Sequence, residues 1–272
     1  MLREWTGSDT MAFVHAPGPD DDKYSRGVVA LRTGSAQYPG AAVLGVEAAW
    51  RAGAGFVRYL GGAADAVLAR RPETVAGPEL GRTRPGAWVI GSGTDAGARS
   101  ESETAALREV LSGAVPVVVD AGALDLAADA SAPLVLTPHA GELSRLREDL
   151  GLTGSGSAVD QAVQTAERVG ATVLLKGSRT VVASPGEAPV IVSSGPAWLA
   201  TAGTGDVLAG VIGAVIAANP GRPLARAAAS AAWLHGRAAA IASGTGVGRV
   251  GHPIVALDVA EMLPSAIAEL LA

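Results

Sequence analysis

Ala200, Thr201, Ala202, Gly203, Thr204, Gly205 and Asp206 run directly into the apolar stretch Val207, Leu208, Ala209, Gly210, Val211 and Ile212. The glycines let a ligand approach the backbone closely. The free N–H groups of a first helical turn, together with the helix dipole, attract an anionic phosphoryl group. Asp206 then stands at the mouth of an anion hole formed by Gly203, Thr204 and Gly205. A carboxylate there can take a proton from a hydroxyl while the backbone amides hold the phosphoryl group being transferred. The same residues also have a plainer reading, in which Thr204 or Asp206 only caps the helix.

A second group follows the apolar run at 172–175: Lys176, Gly177, Ser178, Arg179 and Thr180. Of the 21 basic residues, only Lys23 and Lys176 are lysines. A guanidinium is planar and bulky, whereas an ammonium on a flexible stem approaches a phosphate as a point charge. Where Arg is used almost everywhere, a Lys at a strand end draws attention as a phosphate ligand, the alternative being a solvated turn. Leu134, Val135 and Leu136 lead in the same way to Thr137, Pro138, His139, Ala140, Gly141 and Glu142. His139 and Glu142 then sit just beyond a sheet edge, with Glu142 able to accept from Mg²⁺-bound water, because Mg²⁺ bridging phosphates keeps most of its waters. Gly34 to Ala42 and Gly91-Ser92-Gly93 are further Gly-rich strand ends, each able to wall a pocket or to be a plain turn.

The elements that must carry these residues alternate. β-type runs fall at 28–31, 56–60, 87–90, 117–119, 134–136 and 172–175, with helical stretches at 41–52, 103–111 and 159–169. Alternation of this kind predicts a parallel sheet with crossover helices, and ligands in such sheets bind at the carboxyl ends of the strands. Runs at 180–183 and 190–192 read as an antiparallel hairpin on one edge. The remainder is helical, at 206–218, 224–242 and 257–271, the last kinked or restarted at Pro264. Residues 1–26 lack a sustained apolar period and read as a surface arm or irregular entry, leaving 27–272 as a single domain. The expected fold class is a three-layer α/β/α sandwich with a mostly parallel central sheet.

Composition narrows the partners. Hydrophobic residues make up 49% of the chain but aromatics only 4%, so the core must be built from close-packed small and branched side chains. No apolar run approaches the roughly 20 residues needed to span a bilayer, and no secretory signal pattern opens the chain. These features predict a cytoplasmic protein without a membrane partner. Cysteine is absent, which excludes disulfides, thiolate metal sites and a cysteine nucleophile. A net charge of −5 with no block of like charge argues against nucleic acid as a partner.

Taken together, these segments resemble the NAD(P)H-hydrate dehydratase family of the ribokinase-like superfamily over nearly the whole chain after the N-terminal arm. The family pattern has a Lys, a Gly four residues later, a strand, Gly-Ser, and Tyr-Pro-Gly-Ala-Ala. This chain has Lys23, Gly27, Gly34-Ser35 and Tyr38-Pro39-Gly40-Ala41-Ala42. The resemblance continues through Arg51 to Gly55, Asp120-Ala121-Gly122-Ala123-Leu124, Leu136 to Glu142, Leu175-Lys176-Gly177 and Leu199 to Asp206. The chain departs from the pattern at Asp22-Lys23-Tyr24, where the family has His-Lys-Gly. It departs again at Gly91-Ser92-Gly93-Thr94-Asp95, in place of Gly-Pro-Gly-Leu-Gly, and at Gly122, in place of Asp.

The resemblance implies a metabolite-repair lyase that dehydrates hydrated NADH or NADPH (NADHX, NADPHX), with ADP, or ATP in relatives, as co-substrate and with Mg²⁺. By position, Asp206 is the base, and Gly203, Thr204 and Gly205 form the anion hole. Lys176, Gly177, Ser178, Arg179, Thr180 and Gly205 border the nucleotide. Ala42, Gly93, His139 and Asp206 line the substrate pocket, and Glu142 reaches the metal through water. A homo-oligomer, a tetramer by resemblance, and a separate NAD(P)H-hydrate epimerase chain as functional partner are also implied. The alternatives are a kinase of a small alcohol on the same scaffold, recognisable by a stable phosphorylated product, and a catalytically silent nucleotide-binding protein, which retention of Asp206 opposes.

Overall fold

The computed structural model describes residues 2–272. The strands are β1 (Arg3–Glu4), β2 (Val28–Arg32), β3 (Phe56–Tyr59), β4 (Val75–Ala76), β5 (Ala87–Ile90), β6 (Val117–Val119), β7 (Leu134–Leu136), β8 (Thr172–Leu175), β9 (Thr180–Ala183) and β10 (Val190–Val192). The helices are α1 (Gly7–Thr10), α2 (Pro39–Arg51), α3 (Ala64–Arg70), α4 (Glu101–Leu111), α5 (Ala140–Asp149), α6 (Ala158–Val169), α7 (Thr204–Ala218), α8 (Leu224–Ser243) and α9 (Ala256–Leu271). All ten strands join one sheet, in the order β1-β10-β9-β8-β7-β6-β5-β2-β3-β4. The stretch from β8 to β4 is parallel throughout, and β9 runs antiparallel to both β8 and β10.

The central strands are Val-, Leu- and Ala-rich and buried on both faces, as expected for a parallel sheet covered on both sides. Successive residues point to opposite faces. Val29, Leu31, Val89, Val118, Val135 and Leu174 therefore join one core with α2, α7, α8 and α9. Ala30, Ile90, Val117, Val119, Leu136 and Val173 join a second core with α4, α5 and α6. Three layers result, and every crossover returns the chain so that the strand ends carrying the candidate residues share one edge.

Three sequence expectations need correction. The first 26 residues are not a surface arm throughout: Arg3 and Glu4 pair in parallel with β10, and Trp5 and Phe13 are buried in the first core, while residues 15–26 are exposed. Isolated aromatics in a polar stretch leave no periodic signal, yet each removes a large apolar area from water. The β9–β10 hairpin is consequently not the sheet's edge, because β1 covers it. Of the two expectations at Pro264, a kink or a restart, the restart is excluded, because helix α9 runs unbroken through it. The short β4 and α3 and the helix α5 escaped detection because each is too brief, or too polar on average, to stand out as a period.

Small residues let the helices close on one another. A Cβ on Gly210 of α7 would collide with the Gly45 backbone carbonyl of α2, and one on Gly213 would come within 2.5 Å of Val89 Cγ2 in β5. Glu47 of α2 is fully buried and accepts from Arg51, Arg70 and Arg71, which ties α2 to α3. Gly210→Ala gains about 1 kcal/mol of helix propensity but overpacks against rigid backbone by about 1–3 kcal/mol. A net loss of up to about 2 kcal/mol is expected in urea unfolding; a raised midpoint would mean that α2 and α7 are not locked at this contact.

Candidate active site

Helix α7 begins at Gly203, which adopts φ +88°, a left-handed conformation that favours glycine. A side chain there would also strike Leu44 of α2. No side chain caps this helix. Thr204 directs its hydroxyl backwards, to the carbonyls of Leu199 (3.1 Å) and Thr201 (3.0 Å). Asp206, in the first turn, makes no hydrogen bond to another described residue. The capping alternative therefore fails for both residues, and the first-turn amides stay available to a ligand. By contrast, α6 closes its start with a reciprocal Ser157–Asp160 box.

Lys176 stands at the carboxyl end of β8, facing this turn: a Cβ on Gly205 would lie 3.4 Å from its Nζ. An ammonium beside a helix N-terminus places two positive features together, an arrangement that an anion between them stabilises. Lys176 Nζ donates to Asp120 Oδ1 at 2.8 Å and lies 3.6 Å from Glu142 Oε2. Asp120, at the end of β6, is buried and also accepts from Ser92 Oγ (2.9 Å) and Thr137 Oγ1 (2.7 Å). Burial alone would lower the Lys176 pKa, but the carboxylates of Asp120, Glu142 and Asp206 outweigh it and hold the group above the ordinary lysine value. Burial first, and the negative charge of Asp120 second, push Asp206 up to about 6 against the pull of Lys176. That value suits a base working near neutral pH.

Sequence reasoning quoted Asp120 as part of a motif without a role; its task, holding Lys176, depends on a contact 56 residues away in the chain. Its neighbour Ala121 has φ +45°, uncommon for a non-glycine residue and a mark of local strain.

His139 and Glu142 cap α5 reciprocally. His139 Nδ1 accepts from the Gly141 and Glu142 amides, and Glu142 Oε2 accepts from the His139 amide at 2.7 Å. With Nδ1 accepting, a neutral His139 carries its proton on Nε2. One Glu142 oxygen is thereby engaged and the other, Oε1, lies 3.5 Å from His139 Nε2. Pro138 and Lys176 are joined by a backbone hydrogen bond of 2.8 Å, which brings the two strand ends into one edge.

A cavity of about 430 Å³ opens beside α7 and is lined by Lys176, Gly177, Ser178, Thr180, Thr204 and Gly205, among others. Arg179 is exposed and not part of its wall. His235 of α8 also lines it and was missed at the sequence level, because an Ala-rich helix gives no sign of which face meets a cavity. Burial drives the His235 pKa down to about 4, against an opposing contact with the Thr204 backbone, so the imidazole is neutral. Lys23 lies before β2, at the amino end of the sheet, where its Nζ sits 5.1 Å from the Tyr24 ring.

Gly93 and Ala42, expected from the resemblance to line the substrate pocket, lie near one another at the start of α2. Gly93, at φ +67°, packs so closely that a Cβ would collide with Ala41. Ala42 itself is fully buried beneath Gly34, so its side chain supports the wall from behind and presents no surface of its own. The departures from the family pattern at Thr94 and at Gly122 touch one another: a Cβ on Gly122 would run into the Thr94 carbonyl. The changed loop after β5 therefore requires the glycine after β6.

Fold and site together make this a ribokinase-like α/β protein. Within that class the chain belongs to the NAD(P)H-hydrate dehydratase family, whose model matches residues 29–250. It is 44% identical over 246 residues to the bifunctional NAD(P)H-hydrate repair enzyme Nnr of Mycobacterium leprae, covering 87% of this chain and 50% of that protein. It thus spans about half the length of the bifunctional relatives it matches. It is 40% identical over 243 residues to the ADP-dependent (S)-NAD(P)H-hydrate dehydratase of Neisseria meningitidis serogroup B, covering 82% of this chain and 80% of that one. Among solved structures, the ADP/ATP-dependent NAD(P)H-hydrate dehydratase from Bacillus subtilis, co-crystallised with ATP/Mg²⁺, superposes with a TM-score of 0.83 at 26% identity over 99% of both chains. No helix among the described residues is long and apolar enough to cross a membrane.

Asp120→Ala strands a largely buried ammonium and two buried hydroxyls. A loss of about 3 kcal/mol is expected in urea unfolding; a loss below about 0.5 kcal/mol, the scale of an ordinary surface change, would show that Glu142 alone suffices to hold Lys176.

Proposed function

We propose that the chain is an ADP-dependent (S)-NAD(P)H-hydrate dehydratase that restores NADH or NADPH from the hydrated forms while ADP becomes AMP and phosphate. The observation that carries this reading is the uncommitted Asp206 carboxylate beside an uncapped helix start that faces Lys176. Hydroxide is a poor leaving group, and phosphorylation of the hydroxyl on the reduced nicotinamide ring converts it into a good one. The hydroxyl oxygen attacks the β-phosphorus of ADP, Asp206 takes the hydroxyl proton, and AMP departs. The amides of Gly203, Thr204 and Gly205, with Lys176, stabilise the phosphoryl group in transit. The ring nitrogen's lone pair then drives out phosphate as the C–O bond breaks, and loss of a proton from the adjacent carbon restores the double bond.

Lys176, Gly177, Ser178, Thr180 and Gly205 border the nucleotide in this reading. Gly93, His139 and Asp206 border the hydrated nicotinamide, with Ala42 behind them. Among the described residues no group of three or more His, Asp or Glu side chains gathers to cage a metal. This donor set fits a Mg²⁺ ion carried in on phosphates with most of its waters retained, and Glu142 Oε1 is the atom that would accept from such a water. Mg²⁺, when bound, neutralises charge on the phosphates. An NAD(P)H-hydrate epimerase, which supplies the S epimer, is the partner activity that the reaction calls for.

The decisive assay incubates the protein with hydrated NADH, Mg²⁺ and ADP or ATP and follows the return of nicotinamide absorbance. Recovery without nucleotide would refute the mechanism, and a stable phosphorylated product would identify an alcohol kinase instead. Asp206→Asn is expected to lower turnover by about 10²- to 10⁴-fold while nucleotide still binds. Near-normal turnover in that variant would remove Asp206 as the base. Because Asp206 titrates at about 6, wild-type kcat/KM should fall tenfold per pH unit below about pH 6.

The stability sign follows from the same shift. The folded pKa lies above the ordinary aspartate value, so the folded state binds the proton more tightly and ionisation disfavours folding. Asp206→Asn should therefore be more stable than wild type above about pH 6, with the difference fading as pH falls towards 4; the reverse trend in urea unfolding across that range would contradict the raised pKa. Lys176→Ala should weaken ADP binding by calorimetry at least tenfold, as expected for loss of a charge-assisted contact of about 1.5–3 kcal/mol. Unchanged affinity would return Lys176 to an ordinary strand-end residue.

A further inference from the structure

The wall of the cavity beside α7 is chemically mixed. Lys176, Gly177 and Gly205 give it a cationic, amide-rich part, and Val192, Pro196, Ala197, Leu199, Leu208 and Ala232 give it apolar surface. Most hydroxyls of the wall already donate to backbone: Ser194 to the Trp233 carbonyl (3.1 Å), Thr204 to those of Leu199 and Thr201, and Thr180 to that of Gly177 (3.4 Å). His235 differs. Its side chain is more than nine-tenths buried and lines the cavity, its ring contacts the Thr204 backbone, and its Nε2, itself covered in the ligand-free protein, has no hydrogen-bond partner. A buried polar atom without a partner is costly, and an apolar ring of the same shape would remove that cost. A nitrogen at this position is accounted for when a ligand in the cavity bonds to it.

We propose that His235 is a specificity-determining residue that hydrogen-bonds the edge of the nucleobase when a nucleotide fills the cavity. The inference rests on the nucleotide reading of this cavity given above. A flat heteroaromatic base is the chemistry that fills an apolar slot and still offers polar atoms at its rim, while its phosphates reach the cationic part. The imidazole is held neutral by burial and so presents one N–H donor and one lone pair. Its χ2 torsion is soft, so a ring that already forms part of the wall can turn a nitrogen to the ligand. Ligand-free, Nε2 is covered and unsatisfied and the ring has its Thr204 contact; turning the ring towards a bound base gives that nitrogen a partner.

Calorimetric titration of the full chain with ADP, 2′-deoxy-ADP and inorganic pyrophosphate, in the presence of Mg²⁺, tests this on His235→Phe, with His235→Leu repeating the apolar substitution should the larger ring not fit. The Kd for ADP and for 2′-deoxy-ADP should rise about tenfold, as for loss of one buried hydrogen bond that strands its partner. Pyrophosphate affinity should be unchanged, and the melting temperature should be equal or higher because an unsatisfied nitrogen is gone. His235→Gln, which keeps a donor and an acceptor, should regain most of the affinity. Unchanged ADP affinity, an equal loss for pyrophosphate, failure of Gln to improve on the apolar variants, or a loss that vanishes with 2′-deoxy-ADP would each overturn the base assignment. A wild-type protein that fails to bind ADP would refute the nucleotide reading, and this inference with it, whereas normal ADP binding with an indifferent His235 refutes the inference alone.

Discussion

The site depends on one electrostatic arrangement: the ammonium of Lys176 held at the uncapped start of α7 by a buried carboxylate. A cation beside the positive end of a helix is unfavourable by itself. Asp120 makes it tenable, at 2.8 Å from Nζ, and Asp120 is in turn held by Ser92 and Thr137. The pair leaves Lys176 near enough to serve an anion without collapsing onto Asp206. The negative charge of Asp120 also adds to burial in raising Asp206 towards the working pH of a base. One carboxylate thereby holds the Lys176 ammonium and raises the Asp206 pKa, which is why the ends of β5, β6, β7 and β8 must share one edge.

Close packing by small residues makes that edge possible. Gly210 lets α7 close on the backbone of α2, Gly213 lets it seat directly on Val89 and Val29 of the sheet, and Gly203 lets the chain turn into α7 beneath Leu44. The Ala-rich composition serves the same end, since short side chains bring backbone amides, not side chains, to the cavity. The buried Glu47, surrounded by three arginines, secures α2 from behind.

The loops that depart from the family pattern do so together. Thr94 occupies space that any side chain at position 122 would need, so the altered loop after β5 and the glycine after β6 form one physical unit. The change is confined to a side of the site away from Gly203, Asp206 and Lys176, whose residues follow the family pattern.

Much of the fold was legible in the chain because local chemistry specifies it. Val- and Leu-rich runs bounded by Gly mark the buried strands, and the spacing of strand and helix sets a parallel sheet; the Gly-rich approach to Asp206 marks a helix start open to an anion. What sequence could not reveal were relations between distant residues. Whether Asp206 caps its helix or stays free depends on where its carboxylate points, and Thr204 could be excluded as a cap only once its hydroxyl was seen to turn back to Leu199 and Thr201. Glu142, read as a water acceptor, proved also to cap α5, and Ala42 proved to lie behind the pocket wall. The N-terminal segment showed no period, yet Trp5 and Phe13 anchor it, because burial is decided by what the rest of the chain leaves uncovered. Asp120 and His235 acquired their roles only through neighbours 56 and 31 residues away. Periodicity and turn chemistry are properties of neighbouring residues and can be read along the chain; charge pairing, desolvation and an unsatisfied ring nitrogen are properties of space, and only the tertiary structure decides them.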